Sequence, residues 1–186
     1  MFISDSNSDE IISFTLTTNY DVSTATVSDG FDVSLEDGIP TGLTFNASGT
    51  IMLVVGSTND QVYEYKLAEP FDISTAYFTG VTMAMEPGET LPQNLSFNFD
   101  GSKLFIGGGT TDLIYEYDLS TPFELSSAVF NSNSLSTLGQ YGVEFDVTGS
   151  RMWVASANTD QIYQYELATA FDITSGTYSG VSFPVA

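Results

Sequence analysis

The feature that most constrains this chain is an internal repeat with a period near 50 residues. The segment Leu113–Leu119 follows Asp112, and related segments follow Asp60, Asp160 and, in a more divergent form, Asp9. The four aspartates lie 51, 52 and 48 residues apart. A constant period of this length is typical of repeat architectures, in which each unit packs on its neighbours. We therefore interpret residues 1–186 as one repeat-built domain.

Each complete unit contains four segments that are typical of β-strands. In the third unit, Asn94–Phe97 alternates with a period of two, and Lys103–Gly107 is a second apolar run. Leu113–Leu119 is a third strand, and a more polar strand begins at Ala128. Four strands in about 50 residues predict an all-β fold, a β-propeller of about four blades. The predicted blades are residues 1–39, 40–90, 91–138 and 139–186.

The first unit begins part-way through this pattern. Met1–Ile3 aligns with Met52–Val54, which belongs to the second strand of its unit. We therefore expect the first blade to lack its innermost strand. Either four blades close into a ring around a three-stranded blade, or the chain is part of a larger ring that another copy or a longer polypeptide completes. An unpaired apolar edge at Phe2 and Ile3 would favour association.

The charge of the chain excludes several classes of partner. There are 24 acidic residues against 3 basic ones, for a net charge of −21. Such a surface repels phosphate backbones and anionic lipids, so neither nucleic acid nor a membrane is expected as a partner. No apolar run approaches the roughly 20 residues that cross a bilayer. The acidity favours solubility in saline water, and a cation-collecting surface is the alternative.

Two residue types are missing altogether. The chain contains no Cys and no His. A disulfide, a Ser-His-Asp triad, a Cys-His pair and a His-based zinc site are therefore all impossible within it. The commonest general base is absent as well, which disfavours an enzyme.

Tyrosine pairs recur at one position of the repeat. Two residues that are two apart on a strand share a face, so each pair could stack on a sugar. Their recurrence in successive blades instead favours a core between blades. The pairs are Tyr63/Tyr65, Tyr115/Tyr117 and Tyr163/Tyr165, with Ile12/Phe14 in the first unit.

Acidic residues recur in the same region. One aspartate per blade could form a carboxylate ring for Ca²⁺, but we expect each to cap its own tight loop by accepting hydrogen bonds from nearby backbone amides. These are Asp9, Asp60, Asp112 and Asp160. Glu64, Glu116 and Gln164 lie between the tyrosines of each pair, and successive blades are expected to hold them too far apart for paired-carboxylate chemistry.

The start of each innermost strand is the predicted ligand site, because it would line the mouth of a central channel. The residues there differ between blades while the surrounding pattern repeats, which suits a ligand or an axial ion and equally suits an absence of selection. The predicted residues are Thr41, Gly42, Gln93, Asn94, Tyr141, Gly142 and Glu144. Glu144 and Asp146 are the better catalytic candidates by position, although no catalytic residue is assigned. No cofactor is predicted, and Ca²⁺ is the ion that such a site would take.

The run Gly42–Thr50, the segment Asp60–Leu67 and the motif Pro70–Ala76 together resemble a tandem blade repeat of bacteriophage structural proteins and marine or environmental bacterial proteins. More distantly, the chain resembles the YVTN/lactonase-like propellers. The resemblance covers essentially the whole chain. It implies the fold, and it carries no catalytic residue to this sequence because the metal ligands of the lactonase branch find no match here.

Three functional hypotheses follow. The leading one is a non-enzymatic structural or binding module, virion-associated or extracellular, that presents its loops to a protein or glycan partner and forms a homo-oligomer if one completes the propeller. The second is a lectin-like carbohydrate binder. The third is a metal-dependent, lactonase-like hydrolase that would use Glu144.

Overall fold

The structure, a computed structural model, describes residues 1–86, 88–139 and 141–185. The strands are β1 (Phe2–Asp5), β2 (Glu10–Leu16), β3 (Ala25–Asp32), β4 (Pro40–Phe45), β5 (Ile51–Gly56), β6 (Gln61–Leu67), β7 (Ala76–Ala84), β8 (Pro92–Phe97), β9 (Lys103–Gly108), β10 (Leu113–Leu119), β11 (Ala128–Ser136), β12 (Gly142–Phe145), β13 (Arg151–Ser156), β14 (Gln161–Leu167) and β15 (Gly176–Pro184). The helical segments of these residues are 3₁₀ turns at Val22–Thr24, Ile73–Thr75, Leu125–Ser127 and Ile173–Ser175, and none could span a bilayer.

The strands form four antiparallel sheets, one for each blade, in chain order. Blade one is β1-β2-β3, and the other blades are β4 to β7, β8 to β11 and β12 to β15. The predicted all-β propeller with four blades is therefore confirmed, as is the three-stranded first blade. The innermost strands β4, β8 and β12 pack on one another in sequence and form the inner wall.

Each blade has two apolar faces, because successive side chains of a strand point to opposite sides. We call the face that packs on the preceding blade the front face and the other the back face. In blade two, Met52 and Val54 lie on the front face, in the cluster shared with blade one. Leu53 and Val55 lie on the back face, in the cluster shared with blade three. A third cluster joins blades three and four in the same way.

The tyrosine pairs belong to these clusters, which confirms their predicted role as core. All six side chains are at most 8% exposed and lie on the front faces of blades two to four. Tyr65 packs edge-on against Phe31 of blade one at 5.5 Å between ring centroids. Burial raises the pKa of Tyr65 and of Tyr117 far above the ordinary range, so both phenols stay neutral. The pairs are therefore not available as a surface for stacking on sugars.

A glycine turn covered by an aromatic ring follows the innermost strand of each complete blade. In blade two the turn glycine is Gly49, at φ +71°, and a Cβ there would lie 2.4 Å from the ring of Phe71. Phe71 itself adopts φ +60°, a left-handed conformation that is unfavourable for a bulky residue. This conformation places the ring of Phe71 over the turn. The same pairing occurs between Gly101 and Phe123 and between Gly149 and Phe171.

The blades follow one another in a row. Blade one packs on blade two, blade two on blade three, and blade three on blade four. Within the described residues, no extended packing joins the strands of blade four to those of blade one. In the part of the chain that the structure describes, the front face of blade one and the back face of blade four therefore pack on no other blade.

Candidate functional site

The inner wall brings together several residues that were predicted to line the channel mouth. Strands β4 and β8 approach so closely that a Cβ on Gly42 would lie 2.8 Å from the Cα of Asn94. The hydroxyl of Thr41 donates to the carbonyl oxygen of Pro92 at 2.7 Å and ties the two strands together. Asn94 also reaches blade four, where its Nδ2 lies 3.8 Å from the position of a Cβ on Gly142.

Two clefts open along this wall. The first, of about 460 Å³, lies between Phe2–Ser4 of blade one and Thr41–Phe45 of blade two, with Asn94 at one end. The second, of about 210 Å³, contains Asn94 and Glu144 beside Trp153. Among the described residues, Gln93 and Tyr141 lie outside both linings. The Nε2 of Gln93 donates to the carbonyl oxygen of Leu91 at 3.3 Å, and the backbone N–H of Tyr141 donates to the carbonyl oxygen of Ala155 at 3.0 Å.

Glu144 is the titratable group of the second cleft. The hydroxyl of Ser96 donates to its Oε2 at 3.2 Å. Crowding by the inner strands partly desolvates the carboxylate and raises its pKa, although the side chain keeps an exposed surface. The bonds from Ser96 and from the backbone of Phe145 oppose this rise without cancelling it. The charged form of Glu144 is therefore less favourable in the folded protein than in water.

Replacing Glu144 with Gln is expected to raise the melting temperature at pH 7 and to change it little near pH 4. A carboxyl whose pKa is raised by folding contributes its stability below the unfolded pKa of about 4.3, and that stability is lost as the pH rises through the folded pKa. The amide removes the charge and keeps an acceptor for Ser96. Thermal unfolding followed by circular dichroism at both pH values measures the difference.

The control is Asp146→Asn, which is expected to change the melting temperature at pH 7 in the opposite direction. Bonds from Thr148, Arg151 and Ser150 lower the pKa of Asp146. Its stabilising effect is therefore present above the unfolded pKa of about 3.9 and is lost as the pH falls. We expect Asp146→Asn to lower the melting temperature more at pH 7 than at pH 3. Shifts of the same sign for both variants would contradict the assignment.

Two buried carboxylates were missed by the sequence analysis. Asp37 and Glu89 precede β4 and β8 and are 2% and 3% exposed. Both oxygens of Glu89 accept hydrogen bonds, from the backbone N–H groups of Leu91, Thr110 and Thr111 and from the Thr111 hydroxyl, at 2.7 to 3.2 Å. Asp37 accepts equivalent bonds from the backbone N–H groups of residues 39, 58 and 59. These carboxylates hold the loop between the second and third strands of the blade against the start of its inner strand.

A glycine makes room for each of these carboxylates. A Cβ on Gly56 would lie 2.2 Å from the Cγ of Asp37, and one on Gly108 would lie 2.1 Å from the Oε2 of Glu89. Blade four has Ser156 at the glycine position and Thr137 at the acid position, and the hydroxyl of Thr137 donates to the carbonyl oxygen of residue 139. The sequence does contain a signal for this pairing, because the glycine and the acid are both present in blades two and three and both replaced in blade four. The two positions lie about 20 residues apart, however, and neither is distinctive alone.

Glu64 and Glu116 connect successive blades. Oε2 of Glu64 accepts from the backbone N–H of Leu125 in blade three at 3.1 Å. Oε2 of Glu116 accepts from the backbone N–H of Ile173 in blade four at 3.3 Å. The two carboxylates thus lie in different interfaces, which agrees with the expectation that they do not act as a catalytic pair. The equivalent residue of blade four, Gln164, donates to Glu166 at 2.9 Å instead.

In the described part of the chain, the recurring aspartates do not come together as a ring of carboxylates. Within the described residues, no group of three or more Asp or Glu side chains is close enough to hold a metal ion. The expected loop capping is also wrong, since none of these four carboxylates accepts a bond from a described loop amide. The aspartates occupy a left-handed backbone position, φ +53° to +58°, which Asp tolerates better than most residues. They are Asp9, Asp60, Asp112 and Asp160.

The back face of blade four is apolar and open to solvent. Phe183 is 66% exposed, whereas the equivalent Met83 and Leu135 pack into the cores behind blades two and three. Trp153 occupies the position of Leu53 and Phe105, which are both completely buried, yet it lines the open second cleft. The side chains that elsewhere form a core between blades thus lack a partner here.

The front face of blade one is open in the same way. Met1 and Ile3 are 44% and 40% exposed, although the equivalent residues of blades two to four are essentially buried. Val22 is 68% exposed, whereas its equivalents Ile73, Leu125 and Ile173 are at most 2% exposed. This face carries Ile12 and Phe14 in place of the tyrosine pair, so the two phenol hydroxyls of that pair are replaced by apolar side chains.

The chain is similar in fold to solved propellers of about twice its length. A Bacteroides fragilis protein that carries a provisional 6-phosphogluconolactonase name is 16% identical, with a TM-score of 0.66 over 99% of this chain and 51% of its own. The periplasmic gluconolactonase of Pseudomonas aeruginosa is 16% identical, with a TM-score of 0.59 over 100% of this chain and 51% of its own. A β-propeller domain from Myceliophteria thermophila is 13% identical, with a TM-score of 0.54 over 95% and 52%.

These comparisons show the fold and do not extend to function. No protein-family model matches the chain, and no curated protein matches it in sequence. The chain spans about half the length of the solved structures that it resembles. Because propellers carry many unrelated functions, the lactonase names describe those proteins alone.

Proposed function

We propose that this chain is a non-enzymatic structural module, a four-blade arc that assembles with a second copy of itself into a closed propeller. The observation that carries the proposal is the exposure of two apolar end faces whose equivalents inside the chain form three inter-blade cores. In the assembly, the back face of blade four of each copy packs on the front face of blade one of the other. Such a head-to-tail contact closes after two copies and leaves no free apolar face.

The two end faces carry the kinds of side chain that pack together inside the chain. Trp153, Ile162 and Phe183 on the back face correspond to residues that bury aromatic and aliphatic side chains elsewhere. Met1 and Phe14 supply such partners on the front face. Inside the chain, Glu64 and Glu116 accept a bond from the first N–H of the next 3₁₀ turn. Gln164 would accept the same bond from the N–H of Val22 in the second copy.

Charge opposes this association and makes it depend on salt. Each copy carries a net charge of −21, so two copies repel each other at low ionic strength. Raising NaCl from about 0.1 M to about 1 M shortens the screening length from about 10 Å to about 3 Å. Apolar contacts are not weakened by this change. The dimer is therefore strongest in the saline water for which the composition is suited, as in an extracellular or virion setting.

Sedimentation velocity and native mass spectrometry test the assembly. We expect a species of twice the chain mass whose fraction rises with NaCl concentration. Phe183→Glu places an unpaired carboxylate in the interface, which costs on the order of 2 kcal/mol or more and raises the dissociation constant at least about 30-fold. The matched control is Tyr77→Glu, which adds the same charge at a residue that is 55% exposed on β7, away from both end faces.

Three outcomes would contradict the proposal. One is a wild-type chain that stays monomeric at every salt concentration. Another is equal weakening of the dimer by both substitutions, which would attribute association to charge and not to the end face. A series of ever larger species would contradict closure after two copies.

The loops at the rims of the propeller are left for a protein or glycan partner. A glycan partner would have to use exposed rings, since the tyrosine pairs are buried. The metal-dependent hydrolase hypothesis would need a ligand set, and the described part of the chain brings no three acidic side chains together. The scaffold function is therefore the one that the geometry supports best.

A further inference from the structure

The inner edge of blade one is an unfilled strand position. β5, the equivalent of β1 in blade two, pairs with β4 on one side and with β6 on the other. β9 and β13 are paired on both sides in the same way. In the described residues β1 pairs with β2 alone. The position of the absent partner coincides with the cleft of about 460 Å³ between Phe2–Ser4 and Thr41–Phe45.

The backbone of β1 shows which groups would bind an added strand. Met1 exchanges both backbone bonds with Phe14 on β2, at 2.8 and 2.9 Å. Because antiparallel strands alternate the direction of their polar groups, the N–H and C=O of Phe2 and Ser4 point to the free edge. This edge therefore presents two donors and two acceptors in strand spacing.

Tyr20 marks the other end of the same empty position. It is the equivalent of Phe71, Phe123 and Phe171, which cover the turn glycine that follows the innermost strand. Tyr20 keeps the left-handed backbone of its equivalents, at φ +63°, yet its side chain is 99% exposed. Its left-handed conformation is the one that covers a glycine turn in the other blades, and in the described residues of blade one no such turn lies beneath it.

The three filled positions define what would fit. Each holds an extended segment with Leu or Val and Phe two residues apart, followed by Asn or Asp and, three residues later, Gly: Leu43 to Gly49, Leu95 to Gly101 and Val143 to Gly149. We propose that the inner edge of blade one binds an extended segment of a partner polypeptide that has this chemistry. The segment pairs with β1 along its backbone and places its turn glycine against Tyr20.

This binding is coupled to the proposed dimer, on which it rests in part. The equivalent side chains Leu43, Leu95 and Val143 point into the inter-blade cores. The added Phe would therefore point toward Trp153 of the second copy, as Phe145 packs on Phe105 at 4.3 Å. A bound segment enlarges the apolar front face of blade one, so it should increase dimer formation.

A peptide with the sequence of residues 40–50 tests the proposal. It contains the strand and the glycine turn of blade two and carries no charged side chain, so the acidic surface does not repel it. Fluorescence anisotropy of the labelled peptide on the full chain should show saturable binding. Ser4→Pro removes one free-edge N–H without touching β2 and should weaken binding at least tenfold, whereas Ser4→Ala keeps that N–H and should bind like wild type.

Two further variants distinguish peptide binding at this edge from nonspecific binding and from dimer formation. Tyr20→Gly removes the aromatic cover and should weaken binding several-fold while leaving the melting temperature undiminished. In the Phe183→Glu variant the inner edge of blade one is intact while dimer formation is blocked. Peptide binding that persists in this variant therefore supports the strand-binding site even if the dimer proposal fails. The proposal is overturned if the wild-type chain does not bind the peptide saturably, or if Ser4→Pro and Ser4→Ala bind it equally.

Discussion

Replacing Lys103 with Met is expected to lower the free energy of unfolding by about 3 kcal/mol. The substitution leaves the buried Glu116 carboxylate without its cation, while the amides of Asn131 and Asn133 and the backbone N–H of Ile173 still donate to it. The side chain of Glu116 is 1% exposed, and Lys103 Nζ lies 2.5 Å from its Oε1. Burial alone would lower the pKa of Lys103, but its bonds to Asp118 and Glu116 outweigh this effect and raise it, so the ammonium stays charged. Urea unfolding at pH 7 measures the loss.

Arg151→Met is the matched control for this prediction. It removes another of the chain's 3 basic residues and changes the net charge by the same amount. The Arg151–Glu166 pair is 3.4 Å apart and about half exposed on both sides, so its loss should cost less than about 1 kcal/mol. Equal losses for the two variants would show that overall charge, and not the buried pair, governs stability.

Introducing Ser at Gly108 is expected to cost about 3 kcal/mol or more, and removal of Glu89 should relieve part of that cost. The new Cβ would occupy the space of the Glu89 carboxylate, which would lose the hydrogen bonds donated by the backbone N–H groups of Thr110 and Thr111. A buried carboxylate without donors is strongly unfavourable. The double variant Gly108→Ser with Glu89→Thr reproduces the pair that blade four carries as Ser156 and Thr137.

A double-mutant cycle on the free energy of unfolding measures this coupling. We expect the double variant to be more stable than the sum of the single effects predicts, by about 1–3 kcal/mol. Backbone strain does not explain the expected destabilisation by Gly108→Ser, since Gly108 is not among the residues with positive φ. A coupling energy near zero would mean that glycine and acid act independently, and the covariation between blades would then have no structural basis.

Most of the fold follows from two repeating patterns in the sequence. The period of two within each strand and the period near 50 along the chain predict the strands, the four blades and the three-stranded first blade. They also place the tyrosine pairs in the core, because a position that recurs in every unit meets the same neighbour in every interface. These are local or periodic properties, and no knowledge of distant contacts is needed to read them.

Less of the candidate site could be predicted from the sequence. Asp37 and Glu89 are indistinguishable in the sequence from the many exposed acids, and only the glycine across the blade shows that they are buried. The recurring aspartates illustrate the opposite error, because their recurrence reflects a left-handed backbone and not hydrogen bonds accepted by their carboxylates. In both cases the deciding contact or dihedral angle is set by the packed blade.

The alternating and repeated apolar residues are enough to specify the blade, since they have a low free energy only when two faces of each sheet are covered. They leave open whether four blades close into a ring. Only the packed structure shows that the described strands form a row with two exposed end faces, because closure depends on contacts between the first and last blades and not on the pattern within a blade. A repeat has the same pattern in an end blade as in an internal one, so the missing neighbour becomes visible only when exposure is compared position by position.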